Sequence, residues 1–208
     1  MYLQSKNLHS RGLPLPEASK AMVMFHGQGG SSSGILDLAD HLQVDAFALL
    51  APEATAKSWY PNSFMAPIES NQADLDTGFA LIRNLIAEIE QAGIAREAVY
   101  FLGFSQGACL LAEYLARHAD LYGGAFLFSG GLIGKRIDRR NYQGDFKNMP
   151  LLIGCSNIDA HVPLHRVQDS SRVFTEMGAQ VTERIYLDGP HSVIADEIEL
   201  ANKILRGE

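Results

Sequence analysis

Cysteine is nearly absent from this 208-residue chain, which carries only Cys109 and Cys155. Two such residues make neither a disulfide framework nor a metal-ligand spacing, and the apolar context of each reads as a buried, reduced thiol. A cytoplasmic location is the expectation that follows. Basic side chains are also in deficit, 17 against 24 acidic, for a net charge of −7. The electrostatic footprint of a nucleic-acid binder is therefore missing, and polyanions are not expected as partners. Long apolar runs are lacking too. Stretches such as Ala46–Ala51 fall far short of the roughly 18 residues that span a bilayer, and Met1–Ser10 holds no apolar signal core. Neither a secretion signal nor stable membrane association is expected. Proline is sparse, at 8 residues, while 47% of the chain is hydrophobic and 20% charged. That balance excludes a disordered or collagen-like chain, and the length suits one α/β unit over residues 1–208.

What is present alternates. Ala21–Phe25 is a short apolar run ending in His26-Gly27-Gln28-Gly29-Gly30, a buried strand feeding a glycine loop. Ser32 or Ser33 is placed to cap a following helix with Ile35, Leu38 and Leu42 on one face, and Ala46–Ala51 is the next strand. Beyond a long loop, Leu75, Phe79, Ile82, Ile86 and Ile89 recur in steps of four and three from a helix start near Asn71, with Gly93 at its stop. Strands over 98–102, 124–128 and 151–154 alternate with helices over 106–118 and 164–177. A mixed strand over 181–187 precedes a last helix presenting Ile194, Ile198, Ala201 and Leu205. Continuous apolar strands alternating with helices predict a mostly parallel sheet covered on both faces, with ligands gathering at the carboxyl ends of its strands.

Four strand ends carry chemistry. Gly103-Phe104-Ser105-Gln106-Gly107 follows a strand and opens a helix, the context in which Gly-x-Ser-x-Gly is a nucleophile elbow rather than a plain helix cap. A serine hydroxyl needs a base with a pKa near 7, and His191 is the one histidine of seven lying after the last strand. The orienting acid falls between them: Asp159 follows a strand directly, whereas Asp188 sits three residues from His191, too close to reach round its ring. Asp169, inside a helix, reads as surface charge. Backbone N–H groups of Gln106 and Gln28 are the candidate oxyanion donors, and the glycine loop lacks the Lys and Ser/Thr of a phosphate-binding loop. His26 reads as an organiser of that loop. Asp159, His161 and His165 offer a metal-like set, but Pro163 interrupts the spacing, and neither a metal nor another cofactor is expected.

Phe25-His26-Gly27-Gln28-Gly29-Gly30, the Gly103–Gly107 motif, Asp159 with Val162-Pro163, and Gly189-Pro190-His191 together resemble the phospholipase/carboxylesterase family of serine α/β hydrolases, over nearly the whole chain. The resemblance implies an α/β-hydrolase fold, esterase activity on small acyl esters, a Ser105–His191–Asp159 triad and an oxyanion hole from the amides of Gln28 and Gln106. Gln28 replaces the apolar residue of many eukaryotic relatives, and Ala108 stands where they often have a third glycine. Both departures weaken the transfer of a eukaryotic thioesterase substrate.

The substrate is less sharply written. Trp59, Tyr60, Phe64 and Met65 are candidates for an apolar pocket wall, for satellite core, or for a homodimer contact, and Leu132 with Ile133 are candidates for the same wall. Lys135, Arg136, Arg139, Arg140 and Lys147 in the loop 130–150 read as a solvated surface rather than an anion site. That loop is too short for a large lipase lid, which disfavours interfacial lipids. The sequence thus points to a small-molecule ester as substrate. Acyl thioesterase and lysophospholipase are the enzymatic rivals, and a non-catalytic receptor on the same fold is the rival from another class.

Overall fold

The computed structural model describes residues 7–208; the part of the Met1–Ser10 reading that falls on residues 1–6 lies outside them. In chain order the elements are β1 (Leu8–Gly12), β2 (Lys20–Phe25), α1 (Ser32–Leu36), β3 (Phe47–Pro52), α2 (Gln72–Gln91), β4 (Val99–Phe104), α3 (Gln106–Arg117), β5 (Gly124–Phe128), β6 (Pro150–Ser156), α4 (Leu164–Glu176), β7 (Gln180–Tyr186) and α5 (Ala195–Arg206). The seven strands form one sheet in the order β1-β3-β2-β4-β5-β6-β7. Every neighbouring pair is parallel except β1 with β3, which is antiparallel. β1 is an element that sequence patterning misses. Its Leu-His-Ser-Arg-Gly is mostly exposed, so an edge strand with little to bury shows no apolar signature.

Alternation along the central strands divides two cores. Val23, Phe25, Phe101, Leu127 and Ile153 face one layer, together with the stripe of α2 and most of α3. Met22, Met24, Leu102, Phe126 and Phe128 face the other, with Ile35 and Leu36 of α1 and Ala201 and Leu205 of α5. The α2 stripe of Leu75, Phe79, Ile82, Ile86 and Ile89 is buried throughout. Gly93, at φ +96°, turns the chain just past its end. The first helix is shorter than its apolar spacing predicts. Ser31, not Ser32 or Ser33, is its cap, accepting from the Gly34 N–H at 3.1 Å, and Leu38 lies in a 3-10 turn over Asp37–His41.

Topology places the site. From β2 the chain moves sideways to β3, then returns across β2 to β4. The helices following β2 and β4 leave on opposite faces, α1 into one core and α3 into the other. A crevice opens between the carboxyl ends of these adjacent strands, the switch point of an open parallel sheet. Phe25 and Gly103 end in register there, so the His26–Gly30 loop and the Ser105 turn start side by side.

Candidate active site

Ser105 occupies the turn between β4 and α3 at φ 53° and ψ −119°, a left-handed conformation that costs a non-glycine residue about 1–3 kcal/mol. Neighbouring backbone enforces it. A Cβ on Gly103 would lie 2.7 Å from the Ala108 backbone, and one on Gly107 would lie 2.4 Å from the Phe25 carbonyl oxygen. Only glycine fits at either position. The Ser105 N–H donates to Phe128 O at 2.9 Å, which continues the β4–β5 ladder through the strained residue and leaves its side chain at the strand ends.

Three side chains from three strand ends meet in a line. The Ser105 Oγ–H and His191 Nε2 are 2.9 Å apart, and His191 Nδ1–H donates to Asp159 Oδ2 at 2.6 Å. That second bond fixes the tautomer with an unprotonated Nε2 facing the hydroxyl. Asp159 is fully engaged: Oδ1 accepts from the N–H groups of His161 (2.8 Å) and Val162 (3.0 Å), and Cys155 Sγ lies 3.6 Å from Oδ2. Burial alone would raise the Asp159 pKa, but the bonds from His191 and the two amides outweigh it and hold the carboxyl below its ordinary value. Phe104 and His161 flank the His191 ring, at centroid distances of 5.0 and 4.7 Å. Asp188 is exposed, its N–H donating to Asn157 Oδ1.

Gln28 and Gln106 line the cavity at Ser105, and among the described residues the backbone N–H of neither has a protein acceptor. Gln106 begins α3, where a first-turn N–H has no intrahelical partner. His26 is buried, with Nδ1–H donating to Gly27 O at 2.7 Å and Nε2 accepting from the Ala54 N–H at 3.1 Å.

The cavity has a volume of about 490 Å³ and is walled on its apolar side by Tyr60, Phe64, Phe104 and Val162, with Gln28, Asn62, Ser63 and His161 at its polar margin. Of the residues proposed as its wall from sequence, Tyr60 and Phe64 line it. Trp59, Met65 and Leu132 do not: Trp59 is wedged against Phe25 and His26, Leu132 is wholly buried in the core and Met65 packs on that core. The rings of the Trp59 loop offer little apolar surface to a second copy. Trp59, Tyr60 and Phe64 are 8%, 2% and 9% exposed, turned into the protein rather than outward. The metal-like set disperses: His161 borders the cavity, whereas His165 faces a separate basic depression with Lys135 and Arg136. In the loop 130–150, Arg139 pairs with Glu176, Arg140 with Asp138 and Lys147 with Asp120. The places of Cys155, Phe104 and His161 beside the triad, and the bonds of the Gln106 side chain, escaped the sequence reading, because nothing in a linear motif marks a residue that acts by touching another motif.

Sheet order, elbow and the Ser–His–Asp line define the class: this is a serine hydrolase of the α/β-hydrolase fold. The sequence profile of the phospholipase/carboxylesterase family matches residues 14–207, and the chain belongs to that family. A phospholipase/carboxylesterase from Dyadobacter fermentans is 48% identical, with a TM-score of 0.94 over 99% of both chains. The putative hydrolase MhqD of Bacillus subtilis is 23% identical over 201 residues, covering 95% of this chain and 96% of its own. Acyl-protein thioesterase 1 of Kluyveromyces lactis is 28% identical over 192 residues, covering 84% of this chain and 83% of its own. Among the described residues, no helix is long and apolar enough to cross a membrane.

Proposed function

We propose that the protein is a carboxylesterase acting on short-chain or small aromatic acyl esters, with residues 1–208 working as one catalytic unit. Ser105 Oγ attacks the acyl carbonyl while His191 Nε2 takes its proton, and the same imidazole returns that proton to the leaving alcohol. Water then attacks the acyl-enzyme with His191 as base, which releases the acid and restores Ser105. Asp159 holds the tautomer and stabilises the imidazolium. Charge developing on the carbonyl oxygen is met by the N–H groups of Gln28 and Gln106.

The continuous hydrogen-bonded line from Ser105 through His191 to Asp159 carries this reading. Cavity size and walls support the substrate class. The cavity is of modest size, and polar side chains such as Gln28, Asn62, Ser63 and His161 share its lining with the apolar ones, which suits a short acyl group with a water-soluble alcohol. Ser105→Ala is expected to stay folded, to lose fluorophosphonate labelling, and to hydrolyse p-nitrophenyl acetate at least about 10⁴-fold more slowly. Near-wild-type turnover by that variant would remove Ser105 from its role. Relatives named acyl-protein thioesterases favour thioester hydrolysis as a second reading. Turnover of acyl thioesters and oxygen esters of matched chain length distinguishes the two.

A further inference from the structure

The segment 54–60 connects the two halves of the oxyanion site without contributing a reacting group. On one side it grips the glycine loop. The Ala54 N–H donates to His26 Nε2 (3.1 Å), Trp59 Nε1–H donates to His26 O (2.7 Å), and Lys57 O accepts from the Gly29 N–H (2.8 Å). His26, two residues before Gln28, and Gly29, the residue after it, are thereby tied to this segment. Its amide direction is then set by one peptide plane: Gly27 O accepts from His26 Nδ1–H (2.7 Å) and from the Gly30 N–H (3.0 Å). Because a trans peptide is planar, anchoring that carbonyl turns the Gln28 N–H the opposite way.

On its other side the segment grips the nucleophile elbow. The Trp59 N–H donates to Gln106 Oε1 (2.8 Å), and Gln106 Nε2 donates to Tyr60 O (2.8 Å) and Ser58 Oγ (3.1 Å). Trp59 is thus bonded to both halves, through its indole to one and its backbone to the other. Ala56 and Lys57 hold φ values of 51° and 58°, left-handed strain that surrounding contacts must maintain.

Resting on the esterase reading above, we propose that segment 54–60 is a strap that sets the spacing and aim of the Gln28 and Gln106 N–H donors, with Trp59 and the Gln106 side chain as its positioning residues. The Trp59 side chain does not touch the substrate in this role. It acts through His26 on Gln28, as the amide side chain of Gln106 acts through residues 58–60.

Trp59→Phe keeps the aromatic packing on Phe25 and removes the indole donor. Gln106→Met keeps the length and the backbone N–H but removes the side-chain bonds to Ser58, Trp59 and Tyr60. With competent sites counted by end-point fluorophosphonate labelling, each variant is expected to lose about 10- to 100-fold in kcat, with KM changed less than about twofold. Inhibition by an alkyl trifluoromethyl ketone should weaken by the same factor. There Ser105 Oγ bonds the carbonyl carbon, the carbonyl electron pair becomes an oxyanion, and the hydroxyl proton passes to His191 Nε2. The double variant should lose much less than the product of the single losses, as expected of two parts of one device. If both variants label fully and keep wild-type kcat and ketone affinity, the strap is overturned while the esterase reading stands. A KM rise at constant kcat, or multiplied losses in the double variant, would also overturn it. Failure of the wild-type protein to label overturns both.

Discussion

At the residue scale the decisive feature is the hydrogen-bonded line from Ser105 through His191 to Asp159. The Asp159 carboxylate side chain is wholly buried, and its oxygens are committed to His191 and the amides of His161 and Val162. An imidazole against such an acceptor carries its proton on Nδ1, leaving Nε2 to face the Ser105 hydroxyl, whose proton it takes in the proposed mechanism. Asp159→Asn reverses this. The new amide donates to Nδ1, the ring proton moves to Nε2, and the base can no longer accept. We expect kcat to fall about 10⁴-fold with the fold intact, checked by steady-state kinetics beside circular dichroism. A loss under tenfold would mean another group orients His191. Much of this was legible beforehand, since the elbow, the acid after a strand and the lone histidine after the last strand each follow from motif and order. The rings flanking His191 were not, because those contacts join segments far apart in sequence, nor was the Cys155 thiol beside Asp159, because the turn after β6 that folds one onto the other leaves no mark in the apolar pattern.

At the element scale the β4–α3 turn depends on two positions that can hold no side chain. Gly107→Ala would bring a methyl against the Phe25 and His26 carbonyl oxygens, at 2.4 and 2.6 Å. These belong to the end of β2 and to the loop that carries Gln28, so the clash cannot be relieved by a rotamer change. A loss of about 3 kcal/mol in unfolding free energy is expected, together with loss of esterase turnover. The urea midpoint measures it, and a shift equivalent to less than about 1 kcal/mol would show that β2 and α3 can move apart. Element boundaries were largely readable from sequence because β2, β4, β5 and β6 are buried on both faces and so appear as continuous apolar runs. β1 was not readable, nor were the cap and short extent of α1. Each is defined by a local hydrogen-bonding choice, an edge pairing with β3 or a serine cap, that apolar spacing does not encode.

At the scale of the whole molecule, a buried acid beneath the His191 loop makes stability depend on pH. Glu197 is 1% exposed, and its Oε2 accepts from the Ile194 N–H at 3.0 Å, where α5 begins. Burial, partly offset by that bond, raises its pKa from 4.5 to about 7. Between those values the folded protein holds the Glu197 proton and the unfolded chain releases it. Stability therefore falls as pH rises through that window, by about 3 kcal/mol once pH exceeds 7. Glu197→Gln keeps an acceptor for Ile194 and removes the ionisation. Its melting temperature should gain on wild type between pH 5 and pH 8, and parallel profiles for the two proteins would refute the assignment.

Sequence by itself determined the order of strands and helices, the two-faced apolar pattern that makes a sheet the centre, and the reactive residue types at the strand ends. These are local properties, fixed by side-chain chemistry and by steps of two or of three and four along the chain. Tertiary structure alone decided which of those residues work together. It turned Trp59 and Leu132 into the interior, left Tyr60 and Phe64 at the cavity, and made the Gln106 side chain a tie between loops. The reason is physical: a side chain's role depends on its neighbours in space, and those are set by the reversal of winding between β2 and β4.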